Sequence, residues 1–333
     1  MHGVSQLFAS MGNILNAQRF FTQRHIVFAL ATLCCLLWGS AYPSIKSGYA
    51  LFQIAQGDIA SKMVFAGYRF VLAGGILLVL AVLWKKPLFN FSAREFGRVC
   101  VLGLTQTTLQ YVFFYIGLAY TTGVKGSIMN ATGTFFSVLL AHFIYHNDRL
   151  SINRVLGCVL GFFGVMVVNF SHDLLDFHFS LAGEGSVVLA ACILSAASIY
   201  GKRLSQTMDS VVLTGYQLAI GGLALTLGGF LCGGGLIAAS FKASMLLGYL
   251  AILSSVAFAL WTLLLKYNRV GLVAIFNFLI PVFGALLSAI FLDERILEWK
   301  NVIALVLVCA GIWMVTREPA QKAPATSCAS NEA

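Results

Sequence analysis

The side chains best suited to hold a polar solute lie inside long apolar runs. Residues 97–119 carry Thr105, Gln106, Thr107, Thr108 and Gln110, the most polar stretch of any such run. Gln106 and Gln110 stand four apart and share a helix face. Turned toward hydrocarbon their amides would be unsatisfied, so they point inward, to line a cavity or to bond a neighbouring helix. Asn130 and Asn277 fall at related places in two other runs, where an amide can bind a zwitterion or lock two helices together. Arg69 stands about a turn and a half inside its run and could attract a carboxylate, snorkel outward or bond a helix end. Lys46, three residues after Pro43 at what reads as a kinked helix end, and Lys125 fall toward the same side. With Arg69 they would form an anion-attracting mouth or serve as interfacial anchors. Trp38, Tyr42, Tyr111, Tyr200 and Trp261 could supply an aromatic wall, although aromatic residues fill any such core. His142 is either a packing residue or a proton carrier. No Asp or Glu lies at the centre of a run, Glu184 coming nearest, so proton coupling has few candidates.

Motifs of catalysis are missing from the sequence. There is no HExxH, and Gly123-Val124-Lys125-Gly126-Ser127 lacks the Gly-Lys-Ser/Thr order of a phosphate loop. The eight cysteines show no CxxC spacing and read as small buried apolar residues. No cofactor or metal is implied.

The elements that must position these side chains follow from composition. Of 333 residues 59% are apolar or aromatic and 10% charged, with a mean hydropathy of +0.88. A soluble domain carries about 25% charge, so a soluble enzyme is excluded. A bilayer span takes about 20 apolar residues, and ten runs of that kind are present. They cover 25–47, 63–84, 97–119, 123–145, 152–170, 182–203, 211–232, 243–266, 270–292 and 298–316. The fold expected is an all-α polytopic membrane protein with ten transmembrane helices. Before them, residues 1–24 read as an amphipathic segment in the headgroup region or as a frayed terminus. Residues 317–333 read as a disordered tail.

The net charge of +9 would suggest nucleic acid in a soluble protein. Here the basic residues fall at the ends of apolar runs, and the partner is the lipid bilayer. Of the 21 Lys and Arg, fourteen lie on the side that holds both termini, six on the other, and Arg69 within a span. The positive-inside rule places both termini in the cytoplasm of a multi-pass protein of the cell (inner) membrane.

The two halves resemble each other. Ile-Tyr-His-Asn-Asp-Arg-Leu at 144–150 aligns with Ile-Phe-Leu-Asp-Glu-Arg-Ile at 290–296, and Ser40-Ala41-Tyr42 with Ser198-Ile199-Tyr200. Five spans per half is an odd number, so repeats over 25–170 and 171–316 would be inverted, an arrangement that recurs in transporters. Gly157 and Gly161 have small-xxx-small spacing, for a close helix contact or the face of a homodimer.

Several of these pieces together resemble the drug/metabolite transporter superfamily, in its ten-helix EamA-type branch. They are Trp38-Gly39-Ser40, Tyr68-Arg69-Phe70, and Pro281-Val282-Phe283-Gly284-Ala285-Leu286-Leu287 leading into Leu292-Asp293-Glu294-Arg295. The likeness spans roughly 25–316. The first half departs from it, with Phe135 where the second has Pro281 and Asn147-Asp148 in place of a pair ending in Glu. The resemblance implies export of a small metabolite, often an amino acid or related compound, through a cavity between the halves. The leading reading is a secondary transporter or facilitator that moves a carboxylate-bearing metabolite by alternating access. A membrane-embedded lipid-modifying enzyme is the alternative, with His142, His146 and Asp148 as its one loose group; a passive channel is a third. The charge count carries a direct expectation: a reporter fused after Ala333 is active in its cytoplasmic format, and activity outside would overturn the orientation.

Overall fold

The computed structural model describes residues 16–121, 123–146, 148–170, 180–236, 240–291 and 299–317. Among these every regular element is helical. The helices, in chain order, are α1 (Arg24–Leu51), α2 (Ile59–Leu83), α3 (Ala93–Tyr120), α4 (Gly123–Ala131 and Gly133–Ile144) and α5 (Ile152–Val168). They continue as α6 (Leu181–Thr207), α7 (Ser210–Leu231), α8 (Phe241–Tyr267), α9 (Val270–Ala274, Ile275–Phe278 and Leu279–Phe291) and α10 (Trp299–Thr316). Eight of these helices are long and apolar enough to cross a membrane; α5 and α10 are apolar but shorter. The protein is a polytopic membrane protein. The amphipathic reading of residues 1–15 and the tail beyond Arg317 lie outside the described residues.

Local chemistry fixes the helix starts. Asp58, Ser92, Ser151, Ser180, Asp209 and Ser240 each accept a hydrogen bond from a backbone N–H of the first turn, and Ser92 and Glu95 form a reciprocal box. Such a cap contributes about 1 kcal/mol. Asp58 moves the start of α2 four residues ahead of the apolar run that begins at 63. Arg69 therefore lies ten residues beyond Ile59, about 15 Å along the helix, far deeper than a turn and a half.

Lipid gives apolar side chains no incentive to leave it, so helices hold together through close backbone approach. Two seams do this. On α2, a Cβ added to Gly74 would stand 2.5 Å from Ala219 N and 2.6 Å from Gly215 O of α7, and one on Gly67 2.8 Å from Gly222 O. On α5, a Cβ at Gly157 would stand 2.8 Å from Gly311 O of α10, and one at Gly164 2.9 Å from Ala304 O. Gly161 in turn faces Phe278 of α9. The glycine face of α5 is thus filled from within the chain, which removes it as a homodimer face.

The remaining helices surround the interior, and several are irregular. Residues Leu104–Leu109 of α3 and Leu181–Gly185 of α6 form π turns. A 3-10 turn occupies Ile275–Phe278 of α9, and α4 breaks at Thr132, whose hydroxyl donates to Met129 O (2.5 Å). Helix α1 runs unbroken through Pro43 to Leu51, so Lys46 is not at a kinked end. All seven described cysteines are free; Cys34, Cys35 and Cys158 are buried, whereas Cys232 and Cys309 are exposed, against the uniform burial expected.

The α2–α7 seam makes a paired expectation. Gly74→Ala forces backbone apart and should cost about 1–3 kcal/mol, seen as a lower thermal midpoint of the purified protein. Gly75→Ala, where an added Cβ meets nothing within 4 Å, should leave the midpoint unchanged. Equal midpoints for the two variants would contradict the seam.

Candidate functional site

A cavity of about 290 Å³ opens among α1, α2, α3, α4, α6, α8 and α9. Of the residues singled out in sequence, Trp38, Tyr42, Arg69, Gln106, Gln110, Tyr111, Asn130, Trp261 and Asn277 line it. Lys46, Lys125 and Tyr200 are not among its walls. Lys46 is exposed, and Tyr200 packs beside Leu102, Leu204 and Leu213 in a separate apolar cluster. The three-cation mouth is thus reduced to one member.

That member is Arg69, 4% exposed and the single charged side chain among the described walls. Its guanidinium lies over the Phe70 ring at 4.3 Å and donates from Nη2 to the Tyr111 hydroxyl at 3.2 Å. Its Nε has no hydrogen-bond partner, and no described carboxylate pairs with it. A buried cation without a counter-charge is costly; ring faces and a phenol offset only part of that cost. Gln110, also 4% exposed, leaves Oε1 unpartnered in the same cavity. Both residues line the cavity, and each keeps one buried polar atom without a hydrogen-bond partner.

The helix irregularities put the polar groups there. The π turn of α3 contains Gln106 and Thr107; Thr107 accepts from Gln217 Nε2 at 2.6 Å, and the Thr108 hydroxyl donates to Gly221 O at 2.9 Å. Asn130 sits beside the break in α4, and Asn277 inside the 3-10 turn of α9. Opposite stands an aromatic wall, with Trp38 edge-to-face against Trp261 (5.1 Å) and Phe258 (5.5 Å). Sequence reasoning missed Tyr49 and Tyr115 near Arg69, and Ser137 and Ser195, whose hydroxyls lie 3.1 Å apart. Scattered serines at helical spacing were the available signal.

Contacts gather Phe21, Lys86, Asp148, Lys202, Asp209, Lys266 and Asn268 at one end of the bundle, here called the basic end. It is closed by polar ties. Asp148 and Arg154, each 1% exposed, form a buried ion pair, and Asp148 Oδ2 accepts from Gly271 N of α9 at 3.0 Å. Gln206 Nε2 donates to Lys266 O (3.0 Å), and Lys266 Nζ to Met208 O (3.3 Å). Burial works to raise the Asp209 carboxyl, but Lys86 at 2.9 Å and two backbone amides hold it below its ordinary range. His142 Nδ1 accepts from Leu150 N at 3.1 Å, a packing role. With His142 held by the Leu150 N–H and Asp148 by Arg154 and the Gly271 N–H, the group proposed for a lipid-modifying enzyme does not converge, and the described residues hold no cluster able to bind a metal.

Comparison with known proteins agrees with this architecture. The model of the EamA-like transporter family matches twice, over residues 25–170 and 181–317. The chain belongs to the EamA-like transporter family. An uncharacterized transporter from Archaeoglobus fulgidus is 26% identical, covering 90% of this chain and 99% of its own. A probable amino-acid metabolite efflux pump from Escherichia coli is 24% identical, covering 86% and 93%. A solved crystal structure, 17% identical, shares the fold with a TM-score of 0.72 over 88% of this chain and 97% of that one. The transporter's cavity walls make an accessibility test. In a background without native cysteines, Gln106→Cys and Asn277→Cys should react with a small water-soluble thiol reagent. Leu77→Cys, 3% exposed in the α2–α7 seam, should not, and equal rates would count against the cavity.

Proposed function

We propose that the protein is a ten-span carrier of two inverted five-helix repeats that exports a small carboxylate-bearing, amino-acid-like metabolite by alternating access. Helix pairing supports the repeat. α2 packs on α7 and α5 on α10, the α1–α8 contact is mirrored by α6–α3, and α1–α9 by α6–α4. Adding five to each helix number, counted modulo ten, returns α2–α7 and α5–α10 to themselves and exchanges the other two couples, as a pseudo-two-fold requires. The family model's two tandem matches fit the same division. The count of cationic residues supports a cytoplasmic basic end and cytoplasmic termini in the inner membrane.

One observation carries the substrate reading: Arg69 lines the cavity, is buried, is unpaired with any described carboxylate, and has an Nε without a hydrogen-bond partner. A carboxylate supplies the missing charge, and Gln110 Oε1 offers an acceptor for an adjacent ammonium. The Trp38–Trp261–Phe258 wall suits an apolar body. The Escherichia coli relative's name points the same way.

The test is counterflow of labelled amino acids and monocarboxylates in proteoliposomes. Arg69→Ala should lower transport about tenfold or more, the scale of a charge-assisted hydrogen bond. Arg69→Lys should restore it only in part, because the planar fork is lost. Lys46→Ala and Lys242→Ala, the latter an exposed lysine in the first turn of α8, should each cost less than Arg69→Ala. Full transport in folded Arg69→Ala would overturn the reading.

A further inference from the structure

Between the cavity and the basic end, α3, α6, α7 and α8 are not sealed by apolar side chains alone. A void of about 20 Å³ continues the cavity there, space for about one water. Gln106, Ser198, Phe258, Trp261 and Leu265 line both spaces. Beyond these shared walls, the polar side chains of Lys202 of α6, Thr214 and Gln217 of α7, and Thr262 of α8 stand among Leu102, Gly201 and Leu213. Thr214 and Thr262 hydroxyls lie 3.1 Å apart, and Gln217 bonds Thr107. A seam meant only to hold helices together uses glycine, as α2–α7 does. These bonds satisfy the polar groups while the seam is closed, and the same groups can bind water or solute when it opens.

Lys202 stands at the foot of the void. Its Nζ donates to Asn268 O, just past the end of α8, and lies 5.2 Å from the centre of the Tyr145 ring. Both partners are neutral. The nearby carboxylate, Asp148, is already engaged by Arg154 and the Gly271 N–H. An anion binds an ammonium about twice as strongly as a neutral carbonyl does. A carboxylate reaching Lys202 would therefore draw the ammonium toward itself and weaken its bond to Asn268 O. That tie joins α6 to the end of α8, so anion binding there favours separation of the helices that pinch the void.

We propose that this void is the collapsed access passage from the basic end, and that Lys202 is a second anion subsite, which receives the solute's carboxylate before Arg69. The identity of the occupant rests on the carboxylate reading above; the anion site itself does not. Ser198 stands four residues before Lys202 on the same face of α6, where a cysteine reports the local charge. Ser198→Cys, in a background without native cysteines, is labelled in inside-out membrane vesicles. One reagent is a sulfonate-bearing methanethiosulfonate and the other its trimethylammonium counterpart.

Labelling from the basic-end face is expected, and Lys202→Gln should lower the anionic-to-cationic rate ratio about tenfold, since a unit charge at this range shifts local ion concentrations by that order. Lys202→Arg should keep the ratio. In the protein retaining Lys202, acetate in place of chloride at equal ionic strength should slow the anionic reagent. An unchanged ratio in Lys202→Gln, no slowing by acetate, or labelling from the opposite face alone would each overturn the proposal. A protein with Lys202-dependent labelling but full transport in Arg69→Ala would overturn the preceding reading and leave this one standing.

Discussion

The structure depends on backbone meeting backbone along two glycine seams. In lipid, side-chain burial gives helices little reason to associate, so contact must come from dispersion at close range. Gly67 and Gly74 against α7, and Gly157 and Gly164 against α10, supply that contact. These four helices are each a single unbroken stretch and serve as posts. Because the posts hold, the helices between them can tolerate π turns, a 3-10 turn and a break, each of which sacrifices regular hydrogen bonds. The same logic explains a piece of the family pattern. A Cβ on Gly39 would stand 2.6 Å from Phe283 Cβ and 3.0 Å from Gly284 N, so the Trp-Gly-Ser of α1 exists to admit Phe-Gly of α9. The continuous α1 and the irregular α9 are thereby brought together beside Trp38.

Charge is distributed with the same economy. The interior of the cavity keeps one described cation, Arg69, cushioned by Phe70 and Tyr111 rather than neutralised. The basic end instead buries a complete pair, Asp148 with Arg154, and adds the N–H of Gly271 as a third partner. A satisfied pair makes a stable closure, whereas a buried cation without a counter-charge is left able to attract an anion. The contrast follows from whether the counter-charge is covalently part of the chain.

Much of this was legible in the sequence because hydropathy is a property of segments. Each apolar run coincides with a helix, and the inward assignment of Gln106, Gln110, Asn130 and Asn277 follows from the cost of an amide in hydrocarbon. What failed depends on rotation about the helix axis, which a one-dimensional pattern states poorly in an all-apolar helix. Tyr200 and Tyr42 align between the halves, yet Tyr42 faces the cavity and Tyr200 a side cluster. Lys46 was placed by a supposed kink at Pro43 that the continuous helix does not use. Arg69 was placed too shallow because the capped, polar first turn of α2, Asp58 to Lys62, does not look like a membrane segment. The glycine spacing of α5 announced a close contact, but spacing alone does not say with which helix.

The π turn in α3 also acts as a phase adjuster. One residue more than an α-helix needs is absorbed between Leu104 and Leu109. Each residue of an α-helix advances the face by about 100°. The stretch before the turn meets α7 with Gly103, and the stretch after it presents Gln110 and Tyr111 to Arg69. A uniform α-helix could satisfy only one of those two orientations. The bulge thus works like a single-residue insertion that lets one helix answer to two unrelated neighbours, one part belonging to the scaffold and the other to the cavity.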